Sequence, residues 1–174
     1  MAAMTALGMA ATDYTGTLTV MVNNEGGSQD ASVSINPGSV EGTYTLSLKN
    51  FTLDNDGNPM PIGNIVVADI PGIIVAGKTT LAVTRNILIE NGDDPEVPVW
   101  FGPIIGEVPI ALVAQFNDND VNVDIDINLT QQEQIINVNF TNIEAPKTYE
   151  PGDVDRNGTT NGSDVTALYN ILLK

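Results

Sequence analysis

At 174 residues, 42% of them hydrophobic, the chain can bury one sizeable core but has no room for a second full-sized domain beside it. It carries 22 acidic residues against 6 basic ones, and the resulting formal net charge of −16 repels phosphate backbones and argues against nucleic-acid binding. Cysteine and histidine are both absent. That removes disulfides, thiolate metal sites, Ser-His-Asp chemistry and histidine-ligated zinc, so only carboxylate chemistry is left to an enzyme, and a non-enzymatic protein is expected.

The opening MAAMTALGMAAT is apolar and ends in small residues. It reads as the end of a secretory signal occupying residues 1–12, with cleavage near Ala10 or Ala11, and predicts an exported protein: secreted, periplasmic or held at the cell surface. No later run approaches the roughly 18 apolar residues of a transmembrane helix.

From Tyr14 onward, period-2 alternation broken by turn residues predicts about eight strands. In YTGTLTVMVN, Leu18, Val20 and Val22 share one face; NNEGGSQD reads as the turn that follows, and DASVSIN as the second strand. In GTYTLSLKNFTL the apolar phase starts on Tyr44, Leu46 and Leu48 but resumes on Phe51 and Leu53. That slip of one residue predicts a β-bulge at Lys49 or Asn50. After the turn DNDGNPMP, the run IGNIVVADI is apolar enough to be covered on both faces for part of its length. TTLAVTRNILIEN follows, with Arg85 in its apolar phase between Val83 and Ile87, where a cation could hold a ligand carboxylate or reach solvent from a bulge or rim.

The Gly/Pro-rich stretch NGDDPEVPVWFGPIIGEVP is long for a connection inside a compact domain. Its Trp100 and Phe101 could form a lid that touches a sugar or an apolar ligand, or could plug one end of the fold. IALVAQFN and DVNVDIDINL are joined as a hairpin across Asp118-Asn119, and QIINVNFTN ends the series. Asn122, Asp124, Asp126 and Asn128 fall on one strand face, opposite Val121, Val123, Ile125 and Ile127, so they read as a solvated outer face and not as a catalytic pair.

Short local links between successive antiparallel strands most simply close into an up-and-down barrel, with a two-sheet sandwich as the alternative. The stretches YTGTLTVMVN, EGTYTLSLKNFTL and PIGNIVVADI resemble the calycin-like β-barrel family of secreted proteins from gut bacteria. The resemblance covers residues 13–143 and implies an all-β, eight-stranded antiparallel barrel of lipocalin-like architecture, with no established catalytic residue or ligand.

EAPKTYEPG, residues 144–152, reads as an extended linker. The tail then changes character. DVDRNGTTNGSD, residues 153–164, has the pattern of an EF-hand calcium loop: Asp153, Asp155 and Asn157 supply the first oxygens, Thr159 a carbonyl, Asn161 a side-chain or water contact, and Asp164 the closing carboxylate. Gly158 sits at the sharp turn. DVTALYNILLK places Val165, Leu168, Ile171 and Leu172 at helical spacing, and Ser163 or Asn161 could cap that helix without any metal. GDVDRNGTTNGSDVTALYNILL resembles a single type I dockerin repeat, in which the last ligand is Asp and no helix enters the loop. The resemblance implies calcium as cofactor and a cohesin-like protein partner. Together these features predict a secreted or cell-surface binding protein with an unidentified ligand, attached through its tail. The alternatives are a lipocalin-like carrier of a small apolar molecule with a vestigial tail, and an accessory component of polysaccharide degradation that meets a glycan.

Overall fold

The architecture is described from a computed structural model, for residues 11–55, 58–129, 134–143, 152, 154 and 159–172. The signal-like segment up to residue 10, most of residues 144–152, and Asp153, Asp155, Asn157 and Gly158 lie outside the described residues. Two compact units are present, Met1–Ile143 and Glu144–Lys174.

The first unit is a closed antiparallel barrel of eight strands in chain order. They are β1 (Thr12–Val22), β2 (Glu25–Pro37), β3 (Thr43–Asn55), β4 (Asn58–Val75), β5 (Lys78–Leu88), β6 (Glu107–Phe116), β7 (Val121–Leu129) and β8 (Gln134–Thr141). A short helix, α1 (Gly102–Ile105), interrupts the connection from β5 to β6. Closure comes from the ladder between β1 and β8, which runs from Thr17↔Thr141 to Val22↔Ile136. Gly16 stands where that ladder ends, and a Cβ there would collide with the carbonyl of Thr141, so the close approach of first and last strands needs glycine.

Alternation sets the core as expected. Leu18, Val33, Leu46, Leu48, Ile65, Leu81, Ile110, Leu112, Ile125 and Phe140 are all buried in one continuous cluster. The opposite faces are largely polar on β7 and β8, where Asn137 donates to Asp126 (2.6 Å) and Asn139 to Asp124 (2.7 Å), while Ile73, Ile74, Leu88, Val113 and Ile135 are also exposed. An apolar inside and a largely polar outside is the inverse of a barrel whose outer face meets lipid. At the end reached by Phe116, that ring meets Tyr44 edge to face, with centroids 5.4 Å apart and planes at 77°. Beside them the Tyr14 hydroxyl donates to the Asn117 carbonyl at 2.6 Å.

The turn chemistry differs from expectation at one place. NNEGGSQD is not a loop: only Asn23 and Asn24 turn, with φ of 51° and 70°, and β2 is already extended at Glu25. Two successive residues at positive φ make a tight hairpin whose twist matches its strands, and asparagine tolerates that conformation. The polar residues that suggested a loop are instead exposed on both faces of the strand from Glu25 to Asp30.

The bulge in β3 lies where the phase slips. Leu48 pairs with Ile65 but Phe51 with Gly63, so β3 spends one extra residue at Lys49–Asn50, and Asn50 has φ of 52°. β4 carries compensating irregularities, one between its partners for Tyr44 and Leu46, where Asp69 has φ of 50°, and one beside Gly63 at φ of 127°. Ile62, Gly63, Asn64 and Ile65 are buried in succession because the β5–β6 connection covers the outer face of β4.

In the second unit, α2 (Gly162–Leu172) starts on Asn161. The Asn161 Oδ1 accepts the Ser163 N–H (2.8 Å), and the Asp164 Oδ2 accepts the Asn161 N–H (2.7 Å), a reciprocal capping box.

Candidate functional site

The β2–β3 ladder is short. It pairs Val33–Pro37 with Tyr44–Leu48 and stops, although β2 continues back to Glu25 and β3 on to Asn55. Beyond Leu48 the bulge turns β3 away, and the strands diverge until only the Gln29 side chain reaches across, its Nε2 donating to the Thr52 carbonyl at 3.5 Å. A cleft of about 510 Å³ opens in this wedge. Val20, Val22, Leu53 and Met60 form its apolar floor, Gly26 and Gly27 leave one wall without side chains, and Asn23, Glu25 and Gln134 stand at its rim. Its volume falls within the range of small-ligand sites.

A polar staple holds the divergence. The Asn50 N–H donates to Asn64 Oδ1 (2.8 Å), Asn64 Nδ2 donates to Asp93 Oδ1 (2.9 Å), and the Asp93 N–H donates back to Asn50 Oδ1 (2.6 Å). The Lys49 ammonium closes the set on Asp93 Oδ2 at 2.7 Å. Asn64 is buried at 6% exposure, so its amide must be bonded in place, whereas Lys49 and Asp93 are half exposed and their ion pair adds little. The hydrogen bonds from Lys49 and then Asn64 hold the Asp93 carboxyl below the ordinary carboxylate range. A depressed value in the fold means that this contribution is present above the unfolded value and lost as pH falls through the folded one. In an NMR titration the Asn64 side-chain amide signals are therefore expected to shift with a midpoint below that of a free aspartate. A midpoint at or above that of a free aspartate would break the staple assignment.

Arg85 occupies a second break. β4 pairs with β5 only from Gly72↔Leu81 to Val75↔Lys78, and above this the strands part. Arg85, facing inward opposite Ile110, spans the seam and donates from Nη2 to the Ala68 carbonyl, while its Nε is buried without a hydrogen-bond partner. Higher up, the β5–β6 connection seals the same edge through the Asn64↔Glu90 bridge and the Phe101 N–H donated to the Pro61 carbonyl (2.9 Å). Trp100 is buried against Gly92, where a Cβ would strike the indole, and Phe101 is 42% exposed. None of Arg85, Trp100 and Phe101 lines the wedge between β2 and β3.

The calycin-like β-barrel domain model matches residues 10–143, which contain the whole barrel. The chain belongs to the calycin-like β-barrel family. This calycin-like barrel is similar to the crystal structure of a protein from Bacteroides fragilis provisionally named an outer membrane protein, with 18% identity and a TM-score of 0.51 over 76% of this chain. At that identity the likeness is one of fold, and the chain spans 50% of that protein's length. No curated protein matches the chain.

The tail outside this calycin-like barrel brings together three of its six expected calcium ligands. Asn161 Nδ2 donates to Thr159 Oγ1 (3.0 Å), and Asp164, 3% exposed, accepts the Val154 N–H on Oδ1 (2.7 Å) as well as the Asn161 N–H. Its carboxylate thus ties Val154 to the start of α2, and these bonds suit a helix cap by itself.

Proposed function

We propose that the protein is an exported, non-enzymatic binding protein that takes its ligand in the cleft between β2 and β3, and whose tail folds around calcium to attach it to a protein partner. The observation that supports the first half is an open cleft that runs from the gap between β2 and β3 into the mouth of the barrel, where Val20 and Leu53 of the core cluster, and Val22 and Met60 packed against it, are left accessible. Deeper in the barrel the apolar side chains pack into one cluster, so a carrier of the lipocalin kind would have to hold its ligand below this mouth. Glu25 is the lone ionisable side chain among the described residues lining the cleft, and glycoside hydrolysis needs two carboxyl groups, which supports binding without turnover. Export is supported by the signal-like start and by the setting named for the Bacteroides fragilis neighbour, and the largely polar outer face favours surface attachment over spanning.

The test is native mass spectrometry of the full chain against lipid, oligosaccharide and peptide mixtures, with Gly27→Trp beside the natural sequence. A Cβ at Gly27 meets nothing within 4 Å, so a side chain can start there without a clash, and an indole is expected to occupy the cleft. Bound mass that disappears in the variant supports the cleft. Mass retained by the variant places the ligand elsewhere and revives the interior carrier.

For the attachment half, Asp153, Asp155, Asn157, Thr159, Asn161 and Asp164 would hold calcium, which as a hard cation takes six to eight oxygens. Titrating calcium into chelator-treated full chain is expected to release heat and to order residues 152–172, with both effects abolished by Asp155→Ala. Equal order with and without the ion removes the adhesive role.

A further inference from the structure

We infer that the cleft is a docking site for an extended polypeptide strand, which lies between the free edges of β2 and β3 and completes the ladder on both sides. The inference rests on the cleft being the binding site and names its occupant. Among the described residues, β2 from Gly26 to Ser32 pairs with β1 alone, and β3 from Phe51 to Leu53 pairs with β4 alone. Each therefore turns a row of backbone N–H and C=O groups into the wedge. Only every second residue of a strand points its N–H and C=O to a given edge, so these groups repeat at roughly 6.6 Å, and the row from Gly26 to Ser32 matches a strand of about six residues. Another extended backbone is the partner that satisfies both rows at once.

The gap is built, not frayed. The bulge at Lys49–Asn50 that opens it is pinned by Asn64 and Asp93, and Gln29 already spans it by donating to Thr52, the kind of carbonyl an inserted strand would take over. Gly26 and Gly27 keep one edge bare, and the floor of Val20, Val22, Leu53 and Met60 receives every second side chain of the guest. A lipid tail leaves both edges without hydrogen bonds, which burial penalises. Among the described residues, no aromatic ring lines the cleft for a sugar to stack on. Glu25 at the rim, Asp30 on the edge and the overall charge of −16 select a guest that alternates β-branched residues with Lys or Arg.

The probe is a displayed library of random linear peptides of about ten residues, selected on the full chain, with the hits resynthesised. Alternating Val/Ile and Lys/Arg sequences are expected. Their binding should slow amide exchange in Gly26–Ser32 and Phe51–Leu53, weaken about tenfold or more when alternate peptide amides are N-methylated, and vanish in Gly27→Trp. Peptides that Gly27→Trp blocks but N-methylation does not, with no protection of either edge, overturn strand pairing and leave the cleft a binding site. A library that yields no binder while a lipid or oligosaccharide is bound and blocked by Gly27→Trp overturns the choice of guest. If no probe of any class responds to Gly27→Trp, the cleft is not the site and the inference falls with it.

Discussion

Phe116→Ala is expected to cost about 3–5 kcal/mol of folding stability, the usual range for deleting a buried aromatic ring. The ring is 1% exposed and ends β6, in register with Thr79 on β5 and Val121 on β7. It also holds the edge of Tyr44, reaching across from β3. Removing it takes away burial and leaves a void bounded by three neighbouring strands and a ring that cannot collapse inward together. Because single domains of this size hold roughly 5–15 kcal/mol in all, the variant loses a large part of its reserve. Urea unfolding reads this as a lower midpoint at unchanged slope. Val113→Ala, three positions back on β6 and 47% exposed, should stay within about 0.5 kcal/mol. A loss at Phe116 no larger than at Val113 would mean that this end of the barrel is loosely packed.

Asn64→Leu is expected to cost about 2–4 kcal/mol, from a different cause. Leucine keeps the branching of the amide but is bulkier, so the loss combines the missing polar contacts with crowding at a buried site. Without the amide, the N–H of Asn50 loses its acceptor at a residue held at φ of 52°, and Asp93 loses the donor on Oδ1. Both lost bonds are only partly shielded, so water replaces them in part and not in full. The damage should also be local. Amide exchange is expected to accelerate first at Lys49–Leu53 and at Glu90–Asp93, ahead of β6 and β7. Uniform acceleration across the barrel would show that the staple has no local role in holding the wedge.

The strands were legible because a half-buried strand writes its two faces into the sequence at period 2, and β6 and β7 obey that period residue by residue. The bulge was legible for the same reason: a period that slips between Leu48 and Phe51 can resume on the same face only if one residue is spent. Glu25–Asp30 misled, since a Gly/Ser/Gln-rich strand exposed on both faces has no period and looks like an extension of the Asn23-Asn24 turn. The divergence of β2 from β3 left no trace either, because ladder length depends on where a neighbouring strand goes and not on local pattern. Nor did the staple. Asn50, Asn64 and Asp93 are separated by 14 and 29 residues, in a chain where Asn and Asp mark turns everywhere, so their pairing is visible only in three dimensions. In the tail, the helix and its Asn161 cap follow from spacing and chemistry, while three of the six oxygen donors lie outside the described residues.

The seam between β1 and β8 has a consequence for biosynthesis. Leu18 meets Phe140, and the ladder there joins the first strand made to the last. Contacts so distant along the chain form late and slowly, since most of the polypeptide must be collected before they bring any return. Until β8 emerges, β1 waits with one side unpaired and its apolar residues in water, the condition in which nascent sheets stick to one another. A protein with this topology gains from being kept apart from other unfinished copies until both halves of its final zipper are present.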